Sequence, residues 1–178
     1  LQLDSIPGEF YGDIAIVREY VDEIWRGAWP TYFDLSAGPL YHYAIAPILA
    51  VTGTDYQGIK LASVLVGLLT LMPLYGLGRQ LHSIELGLLS AFVGAVGSWL
   101  LIFSRLGNSQ IIIPLLAVSA ILLVVRVAKY GRLSDVIGSA AVSALGLYAY
   151  PQTFILAPVM LATLTCLWLT GTAVRPRH

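Results

Sequence analysis

Gly58-Ile59-Lys60-Leu61-Ala62-Ser63-Val64-Leu65-Val66-Gly67-Leu68-Leu69-Thr70-Leu71-Met72-Pro73-Leu74-Tyr75-Gly76-Leu77 is the stretch from which the fold follows. Its single charge is Lys60, near the start, and a helix of about 20 apolar residues crosses the roughly 30 Å hydrocarbon layer of a bilayer. Ahead of it the carboxylates crowd together: Asp4, Glu9, Asp13, Glu19, Asp22, Glu23, Asp34 and Asp55. Beyond Lys60 the only carboxylates are Glu85 and Asp135, each in a short gap between further apolar runs. The pattern is that of a membrane protein with one acidic, polar segment outside the hydrocarbon, and chemistry belongs in that segment.

Working outward, hydropathy predicts five spans, at about 58–77, 86–103, 111–127, 136–150 and 154–169. The runs lack period-two alternation, which excludes barrel strands and leaves helices. The expected fold is therefore all-α, a polytopic transmembrane bundle of about five helices over residues 58–178, preceded by an outer loop over residues 1–57. Composition agrees: the chain is 57% hydrophobic and 11% charged, far from the balance of a soluble domain. A net charge of zero gives no reason to expect nucleic acid as a partner. The one cysteine, Cys166, lies inside an apolar run and has no intrachain partner for a disulfide. The chain opens at Leu1-Gln2-Leu3-Asp4 without an initiator Met, a basic leader or a cleavage site, so a fragment lacking an upstream span is expected.

Cations give the orientation. Arg79 and His82 separate the first two runs, Arg126, Lys129 and Arg132 the third and fourth, and Arg175 and Arg177 follow the fifth. The intervening gaps hold Arg105 alone or no cation. With the cation-rich gaps cytoplasmic, the acidic segment, Lys60, Arg105 and Gln152 face outward, to the periplasm or lumen. A bacterial inner or plasma membrane is the expected location.

Residues 1–57 carry two helical patterns. Ile14, Val17, Val21 and Ile24 recur at helical spacing, with Arg18, Glu19, Asp22 and Glu23 opposite and Asp13 in position to N-cap. Trp25 and Trp29 follow, so this helix is predicted to lie along the membrane interface. A second helix opens at Gly38-Pro39, with proline in the favoured first turn, and runs to Val51, too short to span.

Several residues are candidates for chemistry. Asp13 follows the Pro7-Gly8 turn at a helix start beside the membrane; it is either a plain N-cap or a general base facing a lipid-borne substrate. Asp4 and Glu9 are nearby carboxylates. Tyr41, His42 and Tyr43 form either an aromatic belt or a substrate-side surface. His42 has no second His or Cys at ligand spacing, so no zinc site is read. Arg105 stands on the side where cations are disfavoured, and either snorkels or grips a lipid phosphate with its guanidinium fork; Lys60 has the same two readings. No phosphate loop, Ser-His-Asp order or metal cluster is present, and no cofactor is expected, although a divalent metal is left open.

Pro7-Gly8-Glu9-Phe10-Tyr11-Gly12-Asp13-Ile14-Ala15 resembles the first outer loop of the C-type glycosyltransferase superfamily, nearest its protein-mannosyltransferase and aminoarabinose-transferase branch. Gly38-Pro39-Leu40-Tyr41-His42-Tyr43, Phe103-Ser104-Arg105-Leu106-Gly107-Asn108 with Pro114, and Gly146-Leu147-Tyr148-Ala149-Tyr150 continue the resemblance in order. It implies transfer of a sugar from a polyprenyl-phosphate donor to a protein, lipid or glycan acceptor on the outer face. It assigns Asp13 to the catalytic carboxylate. Ile14 stands where the family's second acid is usual, which makes Glu9 the candidate second acid. It also implies that the chain is the N-terminal half of a transferase core.

Three functions fit the sequence. The expected one is a membrane glycosyltransferase with a lipid-phosphate sugar donor. A transporter or flippase would put ionisable groups at mid-membrane, and these runs hold almost none. A non-catalytic scaffold would not need the Pro-Gly turn to Asp13 or an outward Arg105.

Overall fold

The structure, a computed structural model, describes residues 12–32 and 38–171 and, of Asp13, the backbone alone. Among the described residues there are eight α-helices and no strand: α1 (Gly12–Trp25), α2 (Leu40–Thr52), α3 (Tyr56–Leu81), α4 (Ile84–Val96), α5 (Ser98–Leu106), α6 (Ile112–Tyr130), α7 (Leu133–Gly146) and α8 (Leu156–Leu169). Short 3₁₀ turns at Ser109–Ile111 and Pro151–Ile155 lead into α6 and α8. The all-α helical bundle expected from the sequence is what forms.

Helix α3 is the hub. Asp55 caps it by accepting a 2.8 Å hydrogen bond from Gly58 N. It packs against α2, α4, α5 and α6, while α7 lies on α6, and α8 lies on both. Gly78 and Gly87 make the α3–α4 approach close: a Cβ on Gly78 would stand 2.8 Å from Gly87 Cα, and one on Gly87 2.8 Å from the Tyr75 carbonyl oxygen. Without a hydrophobic drive between helices in lipid, such small-residue contacts supply the packing.

The spans differ from expectation in two places. Tyr56–Leu81, Ser109–Tyr130 and Pro151–Leu169 are long and apolar enough to cross a membrane. The second expected span is instead α4 and α5, bent by 51° at Gly97, and it makes a fourth crossing only if the pair counts as one. Gly97 in extended conformation ends α4, a break that apolar periodicity does not reveal. The expected fourth span is the 14-residue α7, about 21 Å long and short of the roughly 30 Å hydrocarbon layer. Its predicted C-terminal end is a turn from Leu147 to Tyr150 rather than helix.

Burial is uneven along the bundle. Ile14, Val17 and Val21 of α1, Tyr41, Ile45 and Leu49 of α2, Ile59, Ala62 and Val66 of α3, and Ile111 and Leu116 beside them form one core, with Ala149 and Leu156. This core occupies the end where α1 and α2 cap α3. Leu68, Leu69, Met72, Leu88, Leu89, Phe92 and Val93 are exposed along α3 and α4, as lipid-facing side chains must be. The apolar stripe of α1 is buried within the protein, so it is not a lipid-facing stripe; Trp25, Trp29 and Tyr32 are the large side chains left exposed after it.

Candidate functional site

Three segments far apart in sequence meet at the α1–α2 end. Gly38 N and Leu40 N donate to the carbonyls of Ala149 and Tyr148, at 2.5 and 2.8 Å. A Cβ on Gly38 would overlap the Tyr148 carbonyl, so only glycine lets the two strands of backbone touch. Gln110 Nε2 donates to Tyr150 Oη at 3.1 Å, tying the α5–α6 connection to the same hairpin. Gly107, at φ 79° in the left-handed region, turns the chain out of α5 and lies against Ile59 and Lys60 N of α3. Asn108 Oδ1 then accepts from Gln110 N at 3.0 Å and starts the turn into α6. Hence the 38–43, 103–108 and 146–150 segments, with the first turns of α3, form one constellation.

Within it, polarity is buried. Tyr41 Oη and Ser63 Oγ are 2.5 Å apart, linking α2 to α3 inside the core. Burial raises the Tyr41 phenol well above its usual range, against the smaller lowering effect of Ser63. His42 is buried, with its ring edge-on to Tyr20 of α1 at 5.2 Å and to Tyr41 at 5.5 Å between centroids. Burial pushes its pKa down to about 4, opposed by the backbone of Gly38, so the imidazole is neutral at physiological pH. Tyr43, half-buried, stacks on Trp29 at 5.8 Å and donates 2.7 Å to the Pro30 carbonyl, holding the chain after α1.

The expected site residues fall in different settings. Lys60 is fully buried, its Nζ 3.9 Å from the ring centroid of Tyr56, a cation–π contact that offsets part of the cost of burying the ammonium. Arg105 is exposed in the last turn of α5, where its charge complements the helix dipole. Asp13 lies in the first turn of α1 and not at the cap position, since the helix begins at Gly12. Glu9 and Asp4 lie outside the described residues. Tyr41 and His42, expected in an aromatic belt or on a substrate-side surface, are buried in the core. Among the described residues no group of three or more His, Cys, Asp or Glu is placed to hold a metal.

Ser63, Tyr56 and Gln110 were not singled out by the sequence, and Tyr150 only as part of the 146–150 segment. Ser63 follows Lys60 by three positions and so shares its helix face, a signal available in principle. Gln110 and Tyr150 are 40 residues apart, and no local pattern joins them.

The opposite end gathers the cations of two loops. Lys129 Nζ donates to the Gln80 carbonyl and Tyr130 Oη to Gln80 Oε1 at 2.9 Å, so the α3–α4 and α6–α7 connections share that end, as the alternation of charge required. Arg126 Nε donates to the buried Asp135 at 2.8 Å, joining α6 to α7.

Comparison with known proteins gives a family. Residues 36–175 match the family model described as dolichyl-phosphate-mannose-protein mannosyltransferase. The matched stretch contains the 38–43, 103–108 and 146–150 segments and begins after α1 and Asp13. No curated protein and no solved structure matches the chain. The match covers most of the sequence, and the chain belongs to this family of integral-membrane glycosyltransferases, which draw their sugar from a polyprenyl-phosphate-linked donor.

Proposed function

We propose that this chain transfers a sugar from a polyprenyl-phosphate donor to an acceptor hydroxyl at the outer face of the membrane, with Asp13 as general base. The observation that supports it most is the convergence of the 38–43, 103–108 and 146–150 segments at one end of the bundle, where α1, the helix bearing Asp13, docks through Ile14, Val17 and Val21. The acidic outer segment, a bacterial inner or plasma membrane and the protein-mannosyltransferase and aminoarabinose-transferase branch belong to the same proposal. The acceptor is a protein, lipid or glycan hydroxyl.

The steps follow from the groups involved. The donor's chain lies among the exposed apolar side chains of the helices, and its phosphate sits at the interface beside Arg105. A guanidinium there meets phosphate oxygens with two parallel N–H donors. Lys60, behind Tyr56, supplies positive potential at the same end. The Asp13 carboxylate accepts the acceptor's hydroxyl proton as that oxygen bonds to the anomeric carbon. The bond from that carbon to the phosphate oxygen breaks, and polyprenyl phosphate leaves with the bonding pair. A positioned base contributes roughly a hundred- to ten-thousandfold, and charge stabilisation of the leaving phosphate adds to it. Glu9 is the alternative base.

One observation favours a transporter: the 51° break between α4 and α5, since broken helices mark transport sites. Val96, Gly97, Ser98 and Trp99 at that break carry no charge, which argues against an ion or substrate path there. Membranes containing the chain, given polyprenyl-phosphate mannose labelled in the sugar and a hydroxyl acceptor, decide between the two. Transfer releases one polyprenyl phosphate per labelled product. Label that crosses the membrane still attached to its lipid refutes the transferase.

A further inference from the structure

Helix α1 reaches α3 by way of α2, and beside the aliphatic packing of Ile14, Val17 and Val21 a chain of rings runs between them. Tyr20 of α1 meets His42 of α2 edge-on, His42 meets Tyr41 edge-on, and Tyr41 is hydrogen-bonded to Ser63 of α3. Tyr41, His42, Ser63 and Lys60 are each at most 1% exposed. Ser63 stands one turn beyond Lys60, and Asp13 stands in the first turn of α1, two turns before Tyr20. A flat ring edge-packed on two others has little freedom to tilt. Interiors this dense pass a change at one ring to its neighbours and do not absorb it.

We infer that Tyr41 and His42 are positioning residues that set the spacing between the Asp13 helix and the Lys60–Ser63 turn, and that neither ring touches the sugar. The inference rests on the proposed role of Asp13 for its catalytic consequence, though not for its geometry. A carboxylate displaced by about 1 Å costs up to about a hundredfold in rate, so the rings act on turnover through Asp13. Donor binding, which involves Arg105 on a different helix, is left alone.

Two measurements on the full chain in lipid test this. Spin labels at Ala15 on α1 and Gln57 on α3, both exposed, report the interhelix distance once the exposed Cys166 is replaced by serine. The unsubstituted pair and His42→Phe, which keeps a flat ring, give the same narrow distance, whereas His42→Ala shifts or broadens it. An unchanged distance in His42→Ala overturns the inference, whatever Asp13 does. Should His42→Ala fail to insert, Tyr41→Phe keeps the ring, loses the Ser63 bond and must shift the same distance; an unchanged distance there is equally fatal. Kinetics then separate positioning from contact. His42→Ala lowers kcat about ten- to a hundredfold per folded enzyme with donor and acceptor KM within about twofold, and His42→Phe restores most of it. Equal losses in Phe and Ala with raised acceptor KM make His42 a substrate contact; normal kcat with less folded protein makes it structural, and both overturn the inference. In an Asp13→Asn background His42→Ala causes no further loss. Full turnover by Asp13→Asn alone removes the base, and the label distances still decide the spacing.

Discussion

The two ends of this bundle hold their polar groups in opposite ways. At the α1–α2 end, Lys60, His42, Tyr41 and Ser63 are sealed inside an apolar core, and Arg105 is exposed in the last turn of α5. At the other end Lys129, Tyr130 and Gln80 make their bonds at the surface, and the Arg126–Asp135 pair goes inward. Water satisfies surface polar groups at almost no cost, while each buried one has to be matched by geometry. The difference teaches where precision is built: the first end is organised to hold groups at set distances, the second to tie helices together and keep cations on one side.

Substitutions at each end sharpen that contrast. The largest effect is expected from Gly38→Ala, whose new Cβ would collide with the Tyr148 backbone. About 3 kcal/mol of stability, the upper part of the range for overpacking, should be lost, seen as a lower midpoint of thermal unfolding in detergent. Next, Asp135→Asn leaves Arg126 without its ion pair. Because the arginine is about one-third exposed, the loss should be near 2 kcal/mol, below the 3–5 of a fully buried pair. Donor KM should not move, and a changed KM would break the division between the ends. Arg105→Ala should raise donor KM about tenfold, equivalent to about 1.4 kcal/mol, with little change in stability. Arg105→Lys should recover part of that, since the charge stays and the fork is lost; unchanged KM means that Arg105 only snorkels. Ser63→Ala, which leaves the buried Tyr41 hydroxyl without this bond, should cost about 1 kcal/mol.

A further effect is in pH. His42 is held down to about 4 by burial, so between roughly pH 6.5 and 4 the unfolded chain takes up a proton that the folded chain refuses. Stability therefore falls as pH drops through that window and is fully present above it. His42→Phe should flatten this part of the profile, measured as unfolding midpoint against pH.

Much of the fold was legible because membrane crossing imposes length and apolarity, and α3 and α6 obey both. The break at Gly97 and the shortness of α7 were not legible: a glycine in an apolar run reads equally well as helix packing or as a bend. The same holds for α1. Its apolar stripe was visible at Ile14, Val17, Val21 and Ile24, but a stripe does not say whether lipid or protein covers it, and here protein does. For the site, the segments were recognisable one by one. What joined them was a set of backbone contacts, Gly38 to Ala149 and Leu40 to Tyr148, and backbone pairing at that separation leaves no trace in residue type beyond the glycine itself. His42 was read as part of an aromatic belt or of a substrate-side surface, because exposure cannot be judged without the helix that covers it.

The central claim is that the base sits on α1, so turnover of Asp13→Asn tests it most directly. Asparagine keeps the size of the side chain and, in the first turn of α1, should cost under about 1 kcal/mol of stability. Transfer from a polyprenyl-phosphate sugar donor is followed in membranes holding equal amounts of folded Asp13→Asn, Glu9→Gln and unsubstituted protein. The account predicts that Asp13→Asn loses roughly two to four orders of magnitude in kcat while Glu9→Gln retains most of its rate. Normal transfer by folded, membrane-inserted Asp13→Asn, or a larger loss in Glu9→Gln, would contradict it.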